Sequence, residues 1–223
     1  MGINFNALNE GSAGQAPVVV AQDAPSNPVM GIPLDKNCLL DLTKRNPGLD
    51  KITIGGGWDA AVSGEKYDLD LCAFLLGEDG KVCYTGDKLI DSVIYFKHKA
   101  APGIEISPDN TTGDGEGDDE QIKITLSQVA PEVYGIVVCI VIFDAKAKMQ
   151  TFKKVNNSYI RVLDTANGDT PLTTCLLNDE YATDTAVIAG KLVRDSDNHN
   201  DWNFITIGDG KIADINDLLG LYL

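Results

Sequence analysis

The chain has 223 residues, 43% hydrophobic and 23% charged, the balance of a folded protein rather than a disordered one, with room for one large β-type domain or two small ones. Lys and Arg number 18 against 33 Asp and Glu, and a net charge of -15 repels phosphate backbones and attracts divalent cations, which argues against nucleic acid as a direct ligand. The cysteines (Cys38, Cys72, Cys83, Cys139, Cys175) are widely spaced and form no CxxC pair, so neither a disulfide framework nor a zinc knuckle is indicated, and free thiols in a reducing cytoplasm are the simplest account.

Residues 1–35 are low in charge and rich in Gly, Ala, Pro, Asn and Gln, and they read as a mobile extension ahead of a domain spanning 36–223. No basic segment followed by an apolar core marks a secretory signal, and the apolar run Ile136 to Phe143 is far too short to span a bilayer, so the expectation is a cytoplasmic protein without membrane insertion. From Cys38 onward, short β-like runs alternate with turn chemistry. Leu39 to Leu42 is the first, then Lys51 to Ile54, closed by Gly55-Gly56-Gly57. Tyr67 to Leu76 begins with strict alternation, placing Asp68 and Asp70 on one face, and then turns continuously apolar. A hairpin signal at Glu78-Asp79-Gly80-Lys81 leads into Val82 to Tyr84, and Ser92 to Phe96 reads as the strand that precedes an acidic loop.

Gln121 to Leu126 alternates as a half-buried strand should, and Gly135 to Phe143 is apolar on both faces as a central strand should be. Ala145 to Gln150 favours a short helix or turn. Three further strands are expected at Ser158 to Leu163, Thr185 to Val193 and Trp202 to Ile207, and Ile212 to Tyr222 has helical spacing. The fold class that follows is mainly β: a two-sheet β-sandwich with a few short helices and a mobile N-terminal extension.

The acidic loop is the chemical focus. From Glu105 to Glu120 there are seven carboxylates, no Lys or Arg, and glycines at 113, 115 and 117. Ionised groups this crowded disfavour one another, and a hard cation with oxygen ligands is the natural counter-charge, because glycines let backbone carbonyls join the carboxylates. A solvated acidic loop is the competing reading. An EF-hand beginning at Asp109 fails, since Thr111, Gly113 and Asp114 stand where that motif needs two oxygen ligands and then glycine. Enzyme readings start from little: His98 lies between lysines, His199 lies in a turn, and neither has a nucleophile motif nearby. No P-loop is present, and Cys72 and Cys139 read as packed thiols. Lys146, Lys148, Lys153 and Lys154 form the densest basic group, either a solvated face or a docking surface for an acidic partner or anionic membrane.

Several motifs in order resemble the TerD family of tellurium-resistance and stress proteins. They are Asp41-Leu42-Thr43-Lys44, Asn46-Pro47-Gly48-Leu49, Gly57-Trp58-Asp59, Tyr67-Asp68-Leu69-Asp70, the run from Asp109 to Ile122, Phe143-Asp144-Ala145, Gln150-x-Phe152 and Val155 to Arg161. The resemblance covers about residues 39 to 222. It implies a non-enzymatic β-sandwich that binds Ca2+, usually two ions, with ligands at Asp68, Asp70, Asp109, Asn110, Asp118, Asp119 and Glu120 and a backbone carbonyl at Gly113. Asp59 and Asp144 match family positions as either ligands or structural hydrogen-bonders, and Asp114 and Glu116 contribute field. Pro108 departs from the family's usual glycine, and the hairpin Asp195 to Asp201 is expanded, as a polar turn or a further cation site. The function implied is calcium binding within a tellurite-resistance or general stress-response system, Ca2+ ordering the acidic loop into a surface for protein partners. The alternatives are a structural subunit of a membrane-associated complex and a redox or enzymatic protein that uses calcium only structurally.

Overall fold

The computed structural model describes residues 32–33, 36–59, 66–83, 89–177 and 180–223. Apart from Ile32 and Pro33, the N-terminal extension therefore lies outside the described residues, as does Tyr84. The strands are β1 (Ile32–Pro33), β2 (Leu39–Asp41), β3 (Lys51–Asp59), β4 (Leu69–Leu76), β5 (Val93–Ile94), β6 (Ala100–Ala101), β7 (Ile104–Ile106), β8 (Glu120–Thr125), β9 (Gly135–Ile142), β10 (Asn156–Asp164), β11 (Thr170–Leu176), β12 (Ala186–Arg194) and β13 (Trp202–Lys211). The first sheet has the order β1-β11-β10-β3-β8-β7-β6 and the second β2-β13-β12-β9-β4-β5. All pairings are antiparallel except β1 with β11, where Ile32 and Pro33 lie beside Thr173 and Thr174. The protein is the expected β-sandwich.

Alternation assigns the faces. Ile52 and Ile54 of β3, Ile122 and Ile124 of β8, and Ile160 and Val162 of β10 pack in one buried cluster with Leu69 and Leu71 of β4 and Val138 and Ile140 of β9. The opposite face of β4 and β9 is also apolar because it is covered: Cys72, Phe74, Val137 and Val141 lie in a second cluster with Leu218 and Tyr222. Leu218 belongs to α2 (Ile215–Leu219), which Asp214 and Asp217 start with a reciprocal capping box. The expected helix is thus a single turn ending in a 3-10 turn at Gly220–Tyr222. Cys72 and Cys139 face each other across β4 and β9, fully buried, and their mutual hydrogen bond, with burial, pushes the Cys72 thiol up.

The structure departs from the sequence reading in several elements. Gly55-Gly56-Gly57 does not close a strand; β3 runs through it to Asp59. Each glycine makes room for a crossing side chain: a Cβ would meet the Asp118 carboxylate at Gly55, Leu71 at Gly56 and the Tyr159 ring at Gly57. Only Val82 of the expected Val82 to Tyr84 strand is seen pairing, as a bridge to Leu76. The acidic loop follows the hairpin β6-β7 rather than Ser92 to Phe96, whose strand is only β5. That hairpin and β11 escape the sequence pattern because Pro102-Gly103 and Pro171 interrupt short runs. Ala145 to Lys148 forms the expected short helix, α1.

Candidate metal centre

β5 pairs only with Ala73 and Phe74 of β4, so among the described residues the edge of β4 beside Leu69 to Leu71 has no strand partner. The buried Leu71 amide on this edge is satisfied from the other sheet. Glu120 shares the inward parity of Ile122 and Ile124, and its Oε2 accepts the Leu71 N–H at 2.8 Å. Its other oxygen, Oε1, accepts the Asn110 N–H at 3.4 Å, which ties the acidic loop to the same carboxylate.

Asp68 and Asp70 project from the face of β4 that also carries Cys72 and Phe74, and the loop brings Asp109 to them. One carboxylate oxygen from each of Asp68, Asp70 and Asp109 lies within 4.8 Å of the others. Two oxygens bonded to one Ca2+ at about 2.4 Å can be no more than about 4.8 Å apart, so the trio matches the span of a single calcium shell. Asp68 Oδ1 is buried without a hydrogen-bond partner. Burial, then Asp68 and Asp109, raises the Asp70 carboxyl to about 7. Burial also raises Glu120 to about 8 against the pull of the Leu71 N–H, with Asp70 adding to the rise, and burial followed by Asp109 raises Asp68. Lys148 lowers both strand aspartates through its field, but its Nζ donates to the Phe143 carbonyl at 3.0 Å and lies over the Phe143 ring. Without a cation, these acids meet mainly one another.

The remaining members of the expected ligand set are held by protein donors. Asp118 lies across Gly55, and its Oδ1 accepts from Arg161 Nε at 2.7 Å and Tyr159 Oη at 3.0 Å. Its Oδ2 accepts from Gln121 Nε2 at 3.1 Å. Asp119 accepts the Trp58 N–H at 2.9 Å and the Asn110 Nδ2–H at 2.8 Å, and burial raises its carboxyl against the Trp58 amide. Asn110 Oδ1 accepts the amides of Thr112 and Gly113, both at 3.1 Å, which curls the loop. Gly113 has φ +68 and is packed so tightly on the Trp58 indole and carbonyl that a Cβ would overlap them. Trp58, Tyr159 and Arg161 are therefore parts of the site's frame to which the sequence reading assigned no role. The family-motif stretches that contain them were the available signal.

Asp59 accepts from Asn157 Nδ2 at 2.6 Å, and Asp144 stands in the left-handed region at the start of α1, exposed. Asp114 and Glu116 are exposed. The Asp195 hairpin is a hydrogen-bonded polar turn: Asp195 accepts the amides of Asp197 and Asn198, the Lys44 ammonium at 2.6 Å and Asn203 Nδ2. His98 Nδ1 lies 2.9 Å from the Val93 carbonyl, and His199 packs edge-on against Tyr134.

Known proteins resemble this chain along most of its length. The TerD domain family model matches residues 30–222. The chain belongs to the TerD family. General stress protein 16U of Bacillus subtilis (strain 168) is 38% identical over 185 residues, covering 81% of this chain and 91% of the relative. Tellurium resistance protein TerD of Serratia marcescens is 36% identical over 184 residues, with 81% and 91% covered. The crystal structure of a homologue of the telluride resistance protein (TerD) from Streptomyces coelicolor A3(2) superposes with a TM-score of 0.63 at 23% identity, over 78% of this chain and 96% of that one, a likeness of fold. In this TerD-family chain the match runs through both walls of the acidic site.

Proposed function

We propose that this chain is a non-enzymatic calcium-binding member of a tellurite-resistance and general stress-response system, acting in the cytoplasm, in which Ca2+ orders the acidic loop against β4 and so forms a surface for protein partners. The stress-response part follows the relatives, whose names are those of tellurium-resistance and general stress proteins. The calcium part rests on one observation above the rest: Asp68 Oδ1 is buried without a partner where Asp68, Asp70 and Asp109 converge. A buried carboxylate oxygen without a partner is costly, and a hard cation supplies the missing bond.

Asp68, Asp70 and Asp109 would hold the ion, with Glu120 beside them. Calcium bound there supplies positive charge that joins a loop residue to two strand residues, while Glu120 fixes the loop to Leu71 from behind. Asn110, Gly113, Asp118 and Asp119 already serve protein donors or shape the loop, so a second ion drawing on them competes with existing hydrogen bonds. Calorimetric titration of the EDTA-treated protein with Ca2+ tests the reading. One tight site with a weaker second is expected, and absence of any saturable heat refutes calcium binding.

A further inference from the structure

The carboxylates sit where β8 and β4 meet. Towards the opposite edge, β10 and β11 of one sheet and β12 and β13 of the other part around a cavity of about 380 Å³. Ile54, Ile160 and Val162 line it from the first sheet, and Val138, Ala189 and Phe204 from the second. The Phe204 ring lies so close over Gly190 that a Cβ there would come within 2.5 Å of it, so the ring occupies side-chain space on β12 and does not fill the gap. Thr173, Thr174, Thr206 and Tyr181 also line the cavity, so hydroxyl-bearing residues interrupt a wall that is otherwise mostly apolar. Volume and lining suit a small, largely apolar ligand.

Three charged residues line the cavity: Arg161, whose guanidinium is paired with Asp118, and Lys36 and Glu180 at the mouth. Lys36 Nζ pairs with Glu180 Oε1 at 2.6 Å, both side chains half-exposed, and lies 5.4 Å above the centre of the Tyr181 ring. Gly208, with φ +59, lets Lys36 and Tyr181 pack onto β13: a Cβ there would lie 2.7 Å from the Tyr181 hydroxyl and 3.1 Å from the Lys36 stem. The cation is thus held by its stem over the opening, while Glu180 meets it from the surface. A half-exposed ion pair of this kind contributes little and exchanges readily for another anion. Cys175 also lines the cavity, and burial pushes its thiol up, so it adds no negative charge.

We propose that this cavity is a binding site for a small apolar molecule carrying one anionic group, of the medium-chain carboxylate class. The chain lies among Ile54, Val138, Val162 and Phe204, and the carboxylate takes the place of Glu180 on Lys36. The cavity shares no lining residue with the Asp68, Asp70 and Asp109 cluster, so its occupancy does not rest on calcium binding.

Titration calorimetry of the full chain with decanoate, below its micelle concentration, tests this against decyltrimethylammonium, which has the same chain and the opposite charge. Decanoate is expected to bind one to one, about tenfold or more tighter than the cation, equally in calcium and in EGTA. Lys36→Glu should reverse the preference, and Val162→Phe should weaken decanoate about tenfold by filling the cavity. Should Val162→Phe fail to fold, Lys36→Glu, at an exposed position, decides alone. Lack of saturable binding, equal affinity for both charges, or indifference to Lys36→Glu overturns the proposal, as does decanoate binding that appears only once residues 1–31 are removed.

Discussion

The acids around the loop fall into two groups that one sequence segment does not distinguish. Asp118 and Asp119 are neutralised or solvated by the protein itself, through Arg161, Tyr159, Gln121, the Trp58 amide and Asn110. Asp68, Asp70 and Asp109 converge with no Lys or Arg paired to them among the described residues, and one of their oxygens is buried without a partner. The first group holds the loop in shape; in the second, the carboxylates converge on one another. Proximity in sequence therefore says less about a carboxylate's role than the donors that reach it.

The contrast breaks most visibly at Asp118. Its side chain is 1% exposed and that of Arg161 14%, so Asp118→Ala leaves a nearly buried guanidinium unpaired, and about 3–5 kcal/mol of stability should be lost in denaturant unfolding, with calcium or without. The trio should behave in the opposite way. If the trio binds calcium as proposed, calcium at about a hundred times Kd should add about 2.7 kcal/mol, a rise of about 5–10 °C in the thermal midpoint relative to EGTA. Asp70→Asn should erase that rise and, by removing a charge whose burial is resisted, melt above the parent in EGTA. A mutant that still responds fully to calcium would move the site away from β4.

Acidity tests the second group directly. In EGTA, Asp70 and Glu120 titrate at about 7 and about 8 when folded, against ordinary carboxylate values of about 4 in the unfolded chain. Between these limits the folded state holds more protons, so stability is greatest at the acid end and falls as pH rises towards 8. Saturating calcium should flatten or reverse the slope, which melts across that pH range would show. Tyr159→Phe removes one hydrogen bond to a charged acceptor and should cost about 1.5 kcal/mol, measurable by urea unfolding. Asp114→Asn with Glu116→Gln, both exposed, should change stability by less than about 0.5 kcal/mol and weaken calcium only at low salt.

Much of the architecture was legible along the chain. The alternation of Gln121 to Leu126 and the two-faced apolar run from Gly135 appear as β8 and β9, because strand burial repeats with a period of two. Asp68 and Asp70 were placed on one face for the same reason. The triple glycine does not terminate β3, since glycine in sequence marks a turn as readily as a place where other side chains cross a strand. β11 is not legible in the sequence because Pro171 interrupts its run.

By itself, the sequence determined that this is a β-sandwich of the TerD type with an excess of acid in one loop, because periodicity, composition and ordered motifs are properties of the chain read locally. The tertiary structure alone decided which acids are spoken for. Arg161 reaches Asp118 across 43 residues because β10 and β8 flank the glycines of β3, and Glu120 reaches Leu71 across 49 because β5 stops short along β4. Charge compensation depends on distances of a few ångströms between segments far apart in the chain, which sheet register sets and local pattern does not encode.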